Sequence, residues 1–301
     1  MSKLLEDLKL NTGRTIPRVG YGTGGTDIYN NPPTISELYE VFKQALDIGY
    51  RHFDSAIMYS NEKNLGEVFQ KIFAEGKYKR EDIFVTSKFL PQGNLTVEQQ
   101  IKESLKNLQF EYLDAYLIHF TFLAPNEKGE FTHKPLHKTW AELEEVQQKG
   151  LVKNIGISNC QIQIIVDLLS YAKIKPSILQ IEFNLLNQQH DLLEFCQRFG
   201  IQVTAYSPLA QGAGINDPLV QQIAQKYGKQ PAQVVLNFLA KSLGLVIIPK
   251  THKVERLPQN LELNDFTLTE EEVQQLKALN VNKRTIDTKH YPAFGNIPFY
   301  A

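Results

Sequence analysis

Short apolar, β-branched runs alternate along this chain with segments in which apolar residues return every three or four positions. The runs suit strands buried on both faces, and the longer period suits amphipathic helices. Strands are predicted at residues 19–22, 52–55, 83–88, 115–119, 154–158, 178–183, 202–207 and 245–250. Helical periodicity is clearest at 35–48, 97–108, 136–149, 162–169 and 232–243. Eight βα units in one unbroken series, with no linker rich in Pro, Gly or Ser, predict an α/β fold closed into a (β/α)8 (TIM) barrel. A doubly wound sheet would show about six strands and a boundary. One domain over residues 1–301 is expected. Two segments lie outside the repeat. Residues 8–16, centred on Asn11-Thr12-Gly13, predict a β-hairpin before the first strand. Residues 269–279 open on a Thr-x-x-Glu capping box and predict an extra helix after the eighth unit, followed by an irregular, aromatic-rich tail over 282–301.

Charge adds little to this picture. Lys and Arg number 32 against 33 Asp and Glu, so no net field draws the chain to nucleic acid or to an anionic membrane. Cys160 and Cys196 have neither the pairing of a disulfide framework nor the clustering of a zinc site, which fits a reducing compartment. The first residues are acidic where a secretory segment would be apolar, and no stretch approaches the roughly 18 apolar residues of a membrane span. A cytoplasmic protein without a membrane segment is the default expectation.

In a (β/α)8 barrel the reactive groups stand at the C-terminal ends of the strands, so ionisable residues closing apolar runs are the candidates for chemistry. Asp54 closes the second run, with Tyr59 in the loop beyond it; Lys88 ends the third and His119 the fourth. A lysine and an aspartate at a barrel mouth are costly unless they pair. If they pair, a phenol of pKa about 10 beside the lysine cation becomes a usable acid. Asp54 would then hold Lys88 charged and in place, Tyr59 would donate the proton, and His119 would hydrogen-bond a carbonyl oxygen near the phenol. The set contains no nucleophile. It suits reduction of a C=O, with hydride from a cofactor and a proton from the tyrosine.

Taken singly, each of these residues has an ordinary structural reading; their order and spacing together resemble the catalytic tetrad of the aldo-keto reductase superfamily. The resemblance runs from the hairpin to about Leu279. It implies further roles in the second half of the chain, where Ser158-Asn159 closes the fifth strand, Gln180 and Glu182 lie in the sixth, and Tyr206-Ser207-Pro208-Leu209 closes the seventh. By that resemblance Ser158, Asn159 and Gln180 hydrogen-bond a nicotinamide carboxamide, Tyr206 stacks on its ring, and Ser207 and Leu209 meet the pyrophosphate. Lys250, Thr251 and Arg256 resemble the family's site for an adenosine 2′-phosphate, where a guanidinium fork suits phosphate oxygens. NADPH is therefore the implied cofactor. Asn260 matches the adenine site, whereas Gln259 stands where many relatives have Glu.

The glycine run at 20–25 satisfies G-x-G-x-x-G, yet it is not read as a Rossmann site. That fingerprint needs a helix opening inside the motif, and here residues 26–33, ending in two prolines, intervene. A loop after the first strand, with Gly22, Thr23 and Asp54 near the cofactor, is the more economical account and matches the family's Gly-Thr.

The substrate side departs from the family pattern. Gly24 and Leu90 stand where tryptophans often do, and Phe120 replaces a further one after His119. A wider apolar pocket is expected, touched by Tyr59, His119 and Phe120, with residues 121–135 and the aromatics Tyr291, Phe294 and Phe299 as candidate walls; Trp140 reads as packing. The partner implied is a small carbonyl compound, and the resemblance implies a monomer. Two other readings stay open at this point. One is a cofactor-binding regulatory or structural subunit of the same fold with little turnover. The other is a metal-dependent hydrolase prompted by His52, Asp54 and His119, although no further ligand set follows and no metal is expected.

Overall fold

The computed structural model describes residues 3–25, 33–286 and 297. Residues 26–32 and the tail aromatics Tyr291, Phe294 and Phe299 lie outside the described residues. The predicted hairpin is β1 (Leu8–Lys9) paired antiparallel with β2 (Thr15–Ile16), turned at Gly13 with φ +81°. Eight parallel strands follow: β3 (Tyr21–Gly22), β4 (His52–Asp54), β5 (Phe84–Phe89), β6 (Leu113–Ile118), β7 (Val152–Ser158), β8 (Ile178–Glu182), β9 (Gln202–Tyr206) and β10 (Val246–Ile247), each paired with the next. A parallel bridge between Val19 and Ile247 returns the sheet to its start, with Gly20 N donating to Ile247 O and Ile247 N donating to Arg18 O. The sheet is thus a closed barrel. Its first and last strands are shorter than the sequence predicts because at residues 19 and 248–250 the pairing is carried by isolated bonds rather than a continuous ladder.

The hairpin determines which end stays open. Leu10 and Ile16 are buried against Phe84, Ala115, Leu117, Ile178 and Val246, mostly from the starts of their strands. Thr12 Oγ1 donates to Asn154 Oδ1 at 2.6 Å, and Asn11 Nδ2 donates to the Pro176 carbonyl at 2.9 Å. This seals the N-terminal end, leaving the opposite mouth as the accessible one, where barrel chemistry is placed.

The helices form where apolar periodicity and capping agree. α1 (Ile35–Ile48) starts at a reciprocal cap between Thr34 and Glu37, buries Leu38, Val41, Phe42, Ala45 and Leu46, and stops at Gly49 in the left-handed region. α2 (Glu62–Ala74) and α3 (Val97–Leu108) follow the second and third barrel strands. α4 (Leu136–Gln148) carries Trp140, which is buried and donates Nε1 to the Ile174 carbonyl at 3.1 Å, a packing role as expected. The stretch predicted as one helix over 232–243 is α-helical only at Pro231–Asn237 and widens to a π-helical turn at Phe238–Ser242. The extra C-terminal helix is present as Glu270–Lys277, capped by Thr269 and Glu272 as its sequence motif requires. No helix among the described residues is long and apolar enough to cross a membrane.

Helices α2 and α3 meet through backbone at Gly66. A Cβ there would collide with the Asn107 carbonyl oxygen and stand 2.8 Å from the Leu108 carbonyl carbon. Gly66→Ala should cost about 1–3 kcal/mol by overpacking, seen as a lower urea midpoint at unchanged slope. An unchanged midpoint would show that the two helices part freely.

Candidate active site

Strand alternation sorts side chains between the barrel interior and the helices. On β4, Phe53 faces outward, its ring 4.9 Å from Phe42 and 5.1 Å from Phe69, which leaves His52 and Asp54 inside. On β5, Phe89 stacks outward on Tyr116, and Ser87 Oγ donates to Glu62 Oε1 on α2 at 2.6 Å, which leaves Thr86 and Lys88 inside. Asp54 and Lys88 therefore meet within the barrel. Lys88 Nζ, fully buried, donates to Asp54 Oδ1 at 2.6 Å, to the Ser55 carbonyl at 2.8 Å and to Tyr59 Oη at 3.3 Å. Burial alone would pull the Lys88 ammonium down, but Asp54 and then Tyr59 outweigh it, and the group is raised above the ordinary lysine value. It is a fixed cation. Across the barrel, Gln180 Nε2 donates to Asp54 Oδ2 at 2.7 Å, so both carboxylate oxygens are engaged.

Tyr59 ends a 3-10 turn (Ile57–Tyr59) released by Ser60 in the left-handed region. The turn is fastened by what comes next. Asn61 accepts from Ser55 Oγ at 3.0 Å and donates Nδ2 to Thr23 Oγ1 at 3.2 Å and to the Thr23 carbonyl at 3.3 Å. Thr23 Oγ1 in turn donates to the Asp54 carbonyl at 2.9 Å. The Tyr59 ring lies against Gly24, where a Cβ would come within 2.6 Å of Cζ.

His119 follows β6 directly, its N–H donating to the Phe89 carbonyl at 2.8 Å. Its ring meets that of Tyr59 edge-on with centroids 5.7 Å apart and stacks on Phe120 at 5.0 Å. Burial, and then the Lys88 cation, hold His119 well below the usual imidazole range, so it is neutral. Asn159, with φ +56°, donates Nδ2 to the His119 carbonyl and to Ser158 Oγ and accepts from Tyr206 Oη at 2.8 Å. Ser158 Oγ donates to the Gln180 carbonyl at 2.7 Å.

Gly22, Asp54, Tyr59, His119, Phe120, Asn159, Gln180, Tyr206, Ser207 and Lys250 converge on one cavity with a volume of ≈ 270 Å³.

 Met58, Pro208, Ile248 and Ile286 supply apolar wall. Lys88 stands behind Asp54 and Tyr59 rather than on the surface of the cavity. Thr23 lines a neighbouring cavity of ≈ 350 Å³ that shares Tyr59 and Lys250. Leu90 is not among the lining residues of either.

The cofactor candidates at the end of the barrel fall close in sequence but not all on the cavity. The Thr251 carbonyl accepts from Tyr21 Oη at 2.7 Å. Arg256 ends a short 3-10 turn and is exposed, and the helix Leu257–Leu261 then carries Gln259 and the buried Asn260. Arg256 thus stands where the 3-10 turn runs into that helix. Leu209 packs partly buried on the main core. Backbone in the left-handed region recurs at Asn159, Ser207, Ala210 and Gln211, all in the loops after β7 and β9. Such turns aim consecutive N–H groups into a concavity suited to an anion.

Sequence reasoning missed Ser55, Asn61 and Ile286. Ser55 meets Lys88 through its carbonyl, which leaves no side-chain signal. Asn61 sits at the N-cap of α2, where its residue type reads as a cap, yet it makes no cap bond and turns to Thr23 and Ser55 instead. His52 Nε2 lies 3.1 Å from Thr86 Oγ1 and Asp54 is committed to Lys88 and Gln180. Among the described residues no group of three or more His, Cys, Asp or Glu converges as metal ligands.

Within the closed barrel a buried Lys–Asp pair thus stands behind a tyrosine and a neutral histidine. The chain belongs to the aldo/keto reductase family, whose model matches residues 18–214 and 216–281. It is 39% identical over 305 residues to aldose reductase B of Dictyostelium discoideum, covering 95% of this chain and 96% of the relative. Among solved structures it resembles the aldose reductase from Schistosoma japonicum, with a TM-score of 0.87, 36% identity and 98% of each chain covered. An aldo-keto reductase of Bombyx mori solved in complex with NADP gives a TM-score of 0.88 at 34% identity, covering 98% of this chain and 99% of that one.

The environment of the imidazoles makes a direct prediction. Burial lowers His52 to about 4, and His119 is also held low, so each stays neutral in the fold where a free imidazole of pKa about 6.5 takes a proton. Each therefore contributes stability that is present above the unfolded value and is lost as pH falls through it towards the folded one. In an NMR titration both rings should keep neutral shifts at about pH 6. A midpoint near the free value for His119 would show that it is not buried beside a cation.

Proposed function

We propose that this protein is an NADPH-dependent reductase of aldehyde or ketone carbonyls, one barrel domain in which Tyr59 is the proton donor. The observation that carries the reading is the fully buried Lys88 ammonium, held between Asp54 at 2.6 Å and Tyr59 at 3.3 Å. As the phenol gives up its proton, negative charge develops on an oxygen already facing a fixed cation, so little reorganisation is needed. Asp54 keeps that cation in place and is itself steadied by Gln180. His119, neutral, offers a hydrogen bond to the carbonyl oxygen without competing as an acid. Phe120 and the apolar walls take the rest of the substrate.

The residues at the mouth fit a nicotinamide dinucleotide. With Nε2 committed to Asp54, Gln180 presents its carbonyl oxygen, and Asn159 and Ser158 stand beside it as the remaining partners for a carboxamide. Tyr206, tethered through its hydroxyl to Asn159, offers a ring face. A Cβ on Gly22 would come within 2.8 Å of the Ile248 carbonyl oxygen, so glycine keeps the mouth open between the first and last strands with Thr23 next to it. The left-handed turn at Ser207, reaching Leu209, suits the pyrophosphate. Lys250, Thr251 and Arg256 suit the 2′-phosphate, and Gln259 and Asn260 the adenine. When bound, NADPH supplies the hydride. The Bombyx mori relative solved with NADP supports this choice of cofactor.

Tyr59→Phe should reduce turnover of an aromatic aldehyde by at least about a hundredfold, in line with loss of a general acid, while the NADPH dissociation constant stays within a few fold. Turnover at the wild-type rate would remove Tyr59 as proton donor. Arg256→Ala should weaken NADPH much more than NADH in a direct binding titration. Equal losses for the two cofactors would sink the 2′-phosphate role.

A further inference from the structure

Glu182 is the last residue of β8 and is fully buried. A buried carboxylate is costly unless it is paired or well hydrogen-bonded. Among the described residues no cation pairs with it. Neutral donors fill it instead: Oε1 accepts from Thr285 N at 2.5 Å, Thr285 Oγ1 at 2.7 Å and Asn184 Nδ2 at 3.1 Å, and Oε2 accepts from Ile286 N at 3.1 Å. Three of these four donors belong to residues 285 and 286. The preceding stretch is fastened to the same loop, since Leu186 O accepts from Val281 N and Lys283 N, and Arg284 Nη2 donates to Gln189 Oε1 at 2.9 Å.

The consequence falls on Ile286. With its N–H held by Glu182, Ile286 forms part of the wall of the cavity that contains Tyr59, His119 and Phe120. We propose that Glu182 is a positioning residue for substrate selection: through residues 285 and 286 it sets Ile286 as the wall against which the non-reacting group of an apolar carbonyl substrate packs. This rests on the carbonyl-reductase reading. A charge-assisted bond to a backbone N–H is among the stronger kinds, which makes a single carboxylate sufficient to fix a short segment. A small aldehyde that reaches only Tyr59 and His119 does not sense that wall.

The test compares wild type, Ile286→Ala and Glu182→Gln with benzaldehyde and with propanal, alongside NADPH binding and amide hydrogen exchange at residues 285 and 286. Ile286→Ala should raise the KM for benzaldehyde roughly tenfold, the scale of a lost apolar pocket contact, with propanal kinetics and NADPH affinity changed by no more than about twofold. Glu182→Gln should give the same split and faster exchange of both amides. If Glu182→Gln does not fold, Thr285→Val, which removes only the hydroxyl donor, carries the same expectations in weaker form. Equal effects on the two aldehydes, an unchanged benzaldehyde KM in Ile286→Ala, or unchanged exchange in the variants at 182 or 285 would each overturn the proposal. Absence of turnover by the wild type with both aldehydes would overturn the reductase reading and the selection role with it, while exchange would still decide separately whether Glu182 anchors the segment.

Discussion

A lysine ammonium buried inside a barrel is the constraint on which the rest of this site depends. Removing one partner of a buried ion pair typically costs about 3–5 kcal/mol, because the other charge is left without compensation. Lys88 escapes that cost only through Asp54, the Ser55 carbonyl and Tyr59, and each of these is placed by a different device. Strand alternation turns Asp54 inward, the end of β4 exposes the Ser55 carbonyl, and the turn before α2 brings back Tyr59. The requirement of the charge and the geometry of the proposed acid are therefore the same requirement.

The sealed end of the barrel makes this arrangement usable. With Leu10 and Ile16 closing the N-terminal end, polar groups at the opposite mouth can meet a ligand, whereas His52, deeper in the barrel, stays neutral next to Thr86. Asn61 links Thr23, Ser55 and the start of α2, so the first loop and the Tyr59 turn are tied together. Gly24 contributes by lacking a side chain, since the Tyr59 ring occupies the adjoining space.

Much of the barrel was legible because period-two and period-3.6 patterns report burial directly, and Asp54, Lys88 and His119 were legible because an ionisable residue ending an apolar strand is conspicuous. The helix break at Phe238 was not, since a π-helical turn keeps the apolar pattern while shifting the hydrogen bonds. Contacts made by backbone or by residues distant in sequence left no local trace. Ser55 contributes a carbonyl, and Ile286, which lines the cavity, has its N–H held by Glu182, more than a hundred residues earlier.

The measurement that bears most directly on the central claim is NADPH oxidation by a Lys88→Met variant in the presence of an aromatic aldehyde, with folding checked by circular dichroism and cofactor binding by titration. The account predicts a folded, NADPH-binding protein that no longer reduces the aldehyde at neutral pH. Turnover at the wild-type rate in that variant would contradict it.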